Sequence, residues 1–414
     1  MMPVDGRLKF RVTGRPRVGL QFKALSYKPR TTVTPMPPSL LRLLQSRGAL
    51  RPGSGLVTGV IGLILAVLSL LAVLAFHFPE YLTTPEIRRR YDVELLRRVL
   101  LGALVLSGSF ALFNAVLGRV RWLAGTTFAL VLLCAALGGH AVEVDPDFPD
   151  HTPYIGLDWL VLDLLGSALL FVFIEKARPL RGEQPVFRDA WQTDLAHFAV
   201  IHLLVGLLMA VTNAVAQGLV TWADPESLQA ATQRLPFPVA LALCVLLADL
   251  VQYAVHRSFH EVPWLWRFHA VHHSAKTMDW LAGSRLHLFE VLVTRSLVLA
   301  ALLMAGFTRG VIDAYVVIVG FHAVLNHANV NLPSRGLGPL RHLIVTPSYH
   351  HWHHAREPAA LGRNYAAHLP LIDRLFGTQL LNAPPWPERY GVLEDDVPEG
   401  FWAQTLHPFR RTKT

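Results

Sequence analysis

Residues 237–273 read FPVALALCVLLADLVQYAVHRSFHEVPWLWRFHAVHH, an apolar run that ends in histidines. The first part, Phe237 to Val255, is long enough to cross the hydrocarbon core of a bilayer, which takes roughly 20 apolar residues. His256 and His260 follow four residues apart, so on a continuing helix both side chains project from one face. Pro263 then ends the helix. The stretch therefore predicts a membrane helix that carries two candidate metal ligands at its end.

The composition of the whole chain is that of a membrane protein. Of its 414 residues 52% are hydrophobic and 16% charged, whereas soluble domains carry about a quarter charged residues. We therefore predict an all-α, polytopic membrane helical bundle. Seven further apolar runs read as spans or near-spans: Leu56 to Phe76, Val99 to Leu117, Leu123 to Gly138, Ile155 to Ile174, Leu195 to Val220, Leu288 to Phe307 and Val311 to Leu325.

The basic residues indicate how the chain is oriented. Residues 1–51 carry eleven Lys or Arg and a single acid, Asp5, so the positive-inside rule predicts a cytoplasmic amino-terminal tail. Alternating spans then place the acidic segment Glu143 to Asp158 and the loop Ala223 to Leu228 outside, with the histidine-rich part as a cap on the cytoplasmic face. This distribution also accounts for the net charge of +9 without nucleic-acid binding.

Composition shifts divide the chain into four segments. Cys134 and Cys244 both lie in apolar runs, so no disulfide framework is expected. The predicted segments are a basic, flexible cytoplasmic tail (1–51), amino-terminal transmembrane helices (52–235), a histidine-rich catalytic domain (236–380) and a proline-containing carboxy-terminal tail (381–414).

Histidines supply the main functional signal. Thirteen of the twenty lie between His256 and His354, and the spacing His-x-x-His-His occurs twice. Ten of them are candidate ligands, more than one ion can use, so we predict two metals. Imidazole suits zinc, copper, iron and nickel alike. The candidates are His256, His260, His269, His272, His273, His322, His327, His350, His353 and His354.

These motifs resemble the fatty acid hydroxylase and sterol desaturase superfamily of membrane di-iron oxygenases. The resemblance covers about residues 245 to 380 and includes the later segment Asp373-Arg374-Leu375-Phe376-Gly377-Thr378. It rests mainly on His256-x3-His260, His269-x2-His272-His273, Phe321-His322 to Asn326-His327-Ala328-Asn329, and Pro347-Ser348-Tyr349-His350-His351-Trp352-His353-His354.

The resemblance implies an oxidoreductase that uses O2 and two iron ions to oxidise a membrane lipid, a fatty acyl chain, sterol or related lipid. Hydroxylation is favoured over desaturation. Electrons are expected from an external donor of the cytochrome or ferredoxin type. Separately, only six of the 38 basic residues are lysine, a bias typical of GC-rich bacterial genomes, so we expect a bacterial inner-membrane protein. Every candidate except His322 and His327 is expected to be catalytic as well as metal-binding.

Several neighbouring side chains are expected to support the metals. Asp249 and Tyr253 share a helix face with His256 and His260, where they would orient a ligand ring, and Asp279 and Glu290 are further candidates for that role. His351 is a possible supporting residue. Arg285 and His287 are candidates for contact with a lipid headgroup, and His287 is also a candidate ligand or ring support.

Two other functions are compatible with histidines in a membrane protein. One is a zinc-type metal transporter, but transport predicts ligands near the bilayer midplane, whereas these lie at the ends of the apolar runs. The other is a family member that binds metal or lipid without turnover, which the intact histidine motifs disfavour.

Overall fold

The computed structural model describes residues 55–116, 121–144, 153–223, 225–332, 334–380, 384–393 and 397–410. The basic tail predicted for residues 1–51 lies outside them. The described residues form helices and no strand, apart from the isolated bridges Pro179–Val330 and Ala355–Tyr390. Eight of their helices are long and apolar enough to span a membrane. The predicted all-α, polytopic membrane bundle is thus confirmed.

The longer helices are numbered here in chain order. They are α1 (Leu56–His77), α2 (Val93–Val116), α3 (Arg121–Ala136), α4 (Leu157–Ala177), α5 (Trp191–Leu203), α6 (Val205–Ala223), α7 (Glu226–Gln233), α8 (Phe237–Glu261), α9 (Pro263–His273), α10 (Leu288–Ala305), α11 (Arg309–His327), α12 (Pro347–His353), α13 (Pro370–Leu375) and α14 (Phe401–Leu406). Short helices and 3-10 turns are Pro79–Leu82, Pro85–Arg88, Gly139–Ala141, Ala282–Ser284, Ser334–His342, Pro358–Ala360 and His407–Phe409.

Helices α1 to α3 pack on one another as a three-helix bundle. Small residues allow close approach, since a Cβ on Gly62 would lie 3.1 Å from the Cβ of Phe110. Ser107 donates a hydrogen bond to the Gly62 carbonyl at 2.8 Å. Small and hydroxyl-bearing residues are the usual contacts between helices in a bilayer, where burial of apolar surface drives no association.

Helices α6, α8, α10 and α11 form the unit that carries the functional site. Ala240, Cys244 and Ala248 of α8 pack against Leu302 of α10 and Tyr315 of α11. Both cysteines of the chain are free and buried. As predicted, Pro263 marks the end of the long helix, because α8 ends at Glu261 and Pro263 opens α9.

Most of the clustered histidines lie at one end of this unit, formed by the end of α8, α9, the start of α10, the end of α11 and α12. We call it the histidine end. The start of α6 belongs to it, because Leu208 of α6 packs with Val291 of α10. The opposite end contains α7, where the Gln229 side chain donates to the carbonyl of Leu303 at 2.9 Å.

Both ends of α4 contact the histidine end. At its start, the Gly156 N–H donates to the carbonyl of Leu203, the last residue of α5, which lies two residues before the start of α6. At its other end, Glu175 accepts from the backbone N–H groups of Trp280 and Asn329 at 2.7 and 2.9 Å. A crossing helix has one end on each side of the bilayer. The contacts therefore favour a helix lying along the histidine end over the crossing that alternating spans imply.

The carboxy-terminal segment folds back onto the same end. Gln404 of α14 is 2% exposed and its side-chain oxygen pairs with the ring of His197 on α5 at 3.1 Å. The Arg267 guanidinium of α9 donates to the His407 carbonyl at 3.3 Å. In the described part of the proline-containing tail, these contacts place α14 beside α5, and the turn His407–Phe409 beside the helix that carries three of the clustered histidines.

Candidate metal centre

Nine of the ten predicted ligands fall into two groups. Each ring offers one nitrogen as a ligand, and within each group these nitrogens all lie within 4.8 Å of one another. Group one comprises His256, His260, His269, His273 and His353. Group two comprises His272, His327, His350 and His354.

The ring nitrogens converge at spacings that suit a metal ion. Two ligands at right angles around an ion, each about 2.1 Å from it, are roughly 3.0 Å apart, and tetrahedral ligands roughly 3.4 Å. Both groups therefore fit a transition-metal ion. The Nε2–Nε2 distances in group one are 3.0 Å (His256–His269), 3.1 Å (His269–His273) and 3.2 Å (His260–His353). In group two they are 3.3 Å (His272–His327), 3.1 Å (His327–His350) and 3.1 Å (His350–His354).

Each His-x-x-His-His motif divides its ligands between the two groups. On α9, His269 and His273 are four residues apart, share a face and belong to group one, while His272 belongs to group two. The motif ending α12 has the opposite allocation, with its outer pair in group two and His353 in group one. The groups therefore lie side by side, and the rings of His273 and His354 stack at 4.3 Å.

In five ligand rings the nitrogen that faces away from the group, Nδ1, is hydrogen-bonded to an acceptor that carries no proton. A carbonyl or carboxylate oxygen requires Nδ1 to carry the hydrogen, so the lone pair of Nε2 faces the centre of its group. The pairs are His256 to the Tyr365 carbonyl at 2.7 Å, His269 to Glu290 at 2.8 Å, His353 to the Arg363 carbonyl at 3.0 Å, His272 to the Arg285 carbonyl at 3.2 Å and His327 to the Ala323 carbonyl at 2.8 Å.

Burial keeps the extramembrane ligands unprotonated. Desolvation, followed by repulsion between neighbouring rings, holds the pKa of His272 and His273 well below 6.5. The same causes act on His350 and His354, whose pKa values are also well below 6.5. Burial lowers the pKa of His353 to about 3. Metal ligation requires the neutral ring, so these side chains are ready to bind at neutral pH.

The two groups differ in exposure. All four members of group two are buried, whereas His256 and His260 of group one are partly exposed. The partly exposed ring of Trp266 lies 5.2 Å from that of His260 and 5.6 Å from that of His273. Group one is therefore the more accessible half of the site.

The tenth candidate, His322, lies outside both groups. Its Nε2 donates to the Val345 carbonyl at 2.7 Å, and its Nδ1 lies 2.9 Å from Nδ1 of His368. Residues five apart on an ideal helix are about 140° apart around the axis. Because His327 points into group two, His322 points elsewhere.

The predicted supporting residues have different roles. Glu290 accepts from a ligand ring, as described above, whereas Asp249 accepts from the backbone N–H groups of Ala367, His368 and Leu369, the last at 2.6 Å. The Tyr253 hydroxyl bonds with that of Thr378 at 2.8 Å. Asp249 and Tyr253 therefore fix the segment that follows the ligand helices, without a hydrogen bond to a ligand ring.

Three further candidates belong to the surrounding framework. Arg285 is 3% exposed and its guanidinium pairs with Asp194, so its side chain faces the protein interior. His287 caps α10 by accepting from the Phe289 N–H at 3.1 Å. Asp279 pairs with Arg188 at 2.7 Å. Neither Arg285 nor His287 presents its side chain to a headgroup at the surface in this arrangement.

His351 supports the site from outside. It is fully buried, and its Nδ1 lies 2.8 Å from the hydroxyl of Tyr390. Burial and repulsion by His327 lower its pKa to about 3. It ties α12 to the carboxy-terminal segment.

The comparison with known families supports this resemblance for the histidine-rich part of the chain. Residues 241–378 match the family described as fatty acid hydroxylase. The matched region contains all nine grouped histidines, and the resemblance seen in the sequence is confirmed.

Curated relatives carry names of lipid-oxidising enzymes. The chain is 27% identical over 68% of its length to ornithine lipid hydroxylase OlsE of Rhizobium tropici, of which it covers 82%. It is 34% identical over 39% of its length to a very-long-chain aldehyde decarbonylase of Oryza sativa and 30% identical over 33% of its length to alkylglycerol monooxygenase of Danio rerio. It covers only 27% and 29% of these two proteins. No solved structure matches the chain. The prediction of an oxidoreductase is confirmed at the level of the family.

Proposed function

We propose that this membrane protein uses O2 and a pair of iron ions to oxidise a membrane lipid, by hydroxylation rather than desaturation. The observation that carries the proposal is the convergence of nine histidine nitrogens in two adjacent groups. Group one would hold one ion and group two the other. We assign the catalytic domain to residues 236–380, preceded by transmembrane helices (52–235) and followed by a tail (381–414).

The chemistry explains the choice of metal. Imidazoles alone also suit zinc or copper, but oxidation of an unactivated C–H bond needs a redox metal that activates O2, and bound iron would supply it. The chain orients the ligand rings and keeps them buried. Its backbone carbonyls and Glu290 orient the rings, burial keeps them neutral, and the closed packing around group two excludes water.

The position of the site suits a lipid. Both groups lie where the apolar helices end, so an acyl chain can remain in the bilayer while the carbon to be oxidised reaches the histidine end. Helix α11 exposes apolar side chains such as Val317, 72% exposed, which suit contact with acyl chains. Because OlsE is named for ornithine lipid, an acylated amino-acid lipid is the first substrate to test.

Hydroxylation consumes O2, two electrons and two protons, and yields the alcohol and water. The electrons would come from an external donor of the cytochrome or ferredoxin type. The partly exposed Trp266 beside group one marks the side from which they would enter. We place the histidine end on the cytoplasmic face of a bacterial inner membrane, where reduced donors are available.

The test is comparative lipidomics of a deletion strain grown with O2. We expect a lipid one oxygen heavier in cells complemented with the wild-type gene, and its loss with His272→Ala. A matched control is His342→Ala, which removes an exposed histidine outside both groups. An unchanged lipid pool in all strains would refute the enzyme proposal, and a mass difference of two hydrogens would indicate desaturation.

Metal analysis provides an independent test. We expect two iron ions per chain after anaerobic reconstitution of the purified protein. Full occupancy by zinc with no uptake of iron would favour a zinc-type transporter instead.

A further inference from the structure

The loop of residues 279–285 contacts two of the four ligands in group two. The Arg285 carbonyl accepts the Nδ1 proton of His272 at 3.2 Å. Gly283 lies directly against the His327 ring, because a Cβ at that position would be 2.9 Å from Nδ1 of His327. A shift of this loop would therefore move both rings together.

Four buried charges hold the loop in place. Arg188 pairs with both carboxylate oxygens of Asp279 at 2.7 and 2.8 Å, and Asp279 also accepts from the Ala282 N–H at 2.9 Å. Asp194 pairs with Arg285 through one oxygen and with Arg188 through the other, the latter at 2.5 Å. None of the four is more than 4% exposed, and two cations balance two anions. Removal of one partner would leave a buried charge unpaired, which is strongly destabilising.

The side chains that pair with the charges of the loop come from outside the matched family region. Arg188 and Asp194 belong to the start of α5 and the segment before it, whereas the match begins at residue 241. Glu175 of α4 accepts hydrogen bonds from the backbone N–H groups of Trp280, which lies in the loop, and of Asn329, which lies two residues after His327. Gln184 donates to the Met278 carbonyl at 2.9 Å. Residues of α4, of α5 and of the segment between them therefore hold the loop in place.

We propose that Asp194 is a positioning residue for group two, which acts through Arg285 and the 279–285 loop on His272 and His327. This inference rests on the proposed metal centre. Asparagine at position 194 has one acceptor oxygen in place of two and no charge, so one arginine would lose its contact with residue 194, two cations would be left with one anion, and the loop would shift. Loss of an outer partner of a metal ligand lowers metal affinity by about 10- to 100-fold, and here the loss should be confined to one of the two ions.

The test measures iron, not turnover. Full-length wild type, Asp194→Asn and Gly283→Ala are purified in detergent, loaded anaerobically with Fe²⁺ and titrated with a chelator, and bound iron per chain is counted by mass spectrometry. We expect the wild type to release two ions at similar chelator concentrations. Both variants should keep one ion and release the other at about 10- to 100-fold lower chelator concentration. The matched control is Asp163→Asn, which removes the carboxylate paired with His202 at 2.7 Å and should behave as the wild type.

The outcomes separate this inference from the proposed function. A wild type that does not bind two ions contradicts the metal centre itself. Two ions in the wild type and two equally tight ions in Asp194→Asn would overturn the role of Asp194. Equal weakening of both ions in a variant that elutes as the wild type would also overturn it. If Asp194→Asn does not elute as the wild type, Gly283→Ala tests the link between the loop and group two without unpairing a charge, and two equally tight ions in Gly283→Ala would overturn the inference.

Discussion

Replacement of Glu290 by glutamine should weaken the metal ion of group one. Glu290 lies in the first turn of α10 and accepts the Nδ1 proton of His269 at 2.8 Å. A hydrogen bond to a charged group contributes about 1.5–3 kcal/mol and one between neutral groups about 1 kcal/mol. Glutamine keeps an acceptor oxygen but loses the charge, so the change should cost about 1–2 kcal/mol. That difference corresponds to roughly a 5- to 30-fold loss of affinity.

The assay is the anaerobic chelator titration of the purified protein, with bound iron counted per chain. Glu290→Gln should release one ion early and keep the other at the wild-type chelator concentration. The matched control is Glu226→Gln, because Glu226 is also an acid in the first turn of a helix, but it is exposed and lies on α7 at the opposite end of the helical unit. The control should leave both ions unchanged.

The result that would refute this reasoning is wild-type release of both ions by Glu290→Gln. A combined variant with Asp194→Asn adds a stricter requirement. Since each change acts on a different group, their effects should fall on different ions and both ions should become weak in the double variant. Loss of the same single ion in all three variants would show that the two groups do not bind separately.

Other consequences follow from the positions of single residues and of the chain ends. His272→Ala should lower the iron content from two ions to one, whereas His322→Ala should leave two, as counted by mass spectrometry; loss of an ion from the second variant would place that ring in the site. Asp249→Ala should lower the free energy of unfolding by about 3 kcal/mol, because three backbone N–H groups, those of the partly buried Ala367 and Leu369 and of the buried His368, lose their acceptor. Thermal unfolding monitored by size-exclusion chromatography would register it, and an unchanged midpoint would contradict the anchoring role. Reporters fused to the two chain ends should lie on opposite faces of the membrane, and reporters on one face would restore α4 as a crossing helix.

The sequence predicted which histidines lie close together because helix geometry is local. Spacings of three and four residues fix which side chains share a face, and nine of the ten candidates converge in the structure. The exception follows from the same geometry, since His322 precedes His327 by five residues and points away from it. What the spacing could not show is the division of each His-x-x-His-His motif between two groups, which depends on how α9 and α12 face each other.

The residues that orient the ligands were harder to predict. Most of the acceptors for Nδ1 are backbone carbonyls, such as those of Tyr365, Arg363 and Ala323. Every residue has such a carbonyl, so its use leaves no mark on residue type. Asp249 shares a face with His256, which made it a reasonable candidate for that role. The segment after Ala366 instead comes close enough to use both of its oxygens.

Helix α4 shows why an apolar run does not determine a crossing. Hydrophobicity indicates contact with lipid or core, but the direction of a helix depends on what its two ends touch, and both ends of α4 touch the histidine end. If α1, α2 and α3 each cross the membrane before the chain reaches that end, the start of α1 and the histidine groups would lie on opposite faces. The positive-inside rule, applied to the tail alone, implies the same face for both. The side chains of Glu175, at the end of α4, and of Arg188 and Asp194, which follow it, contact the 279–285 loop or residues paired with it. These contacts fix the carboxy-terminal end of α4 at the histidine end, and the contact of Gly156 with Leu203 places its start there as well.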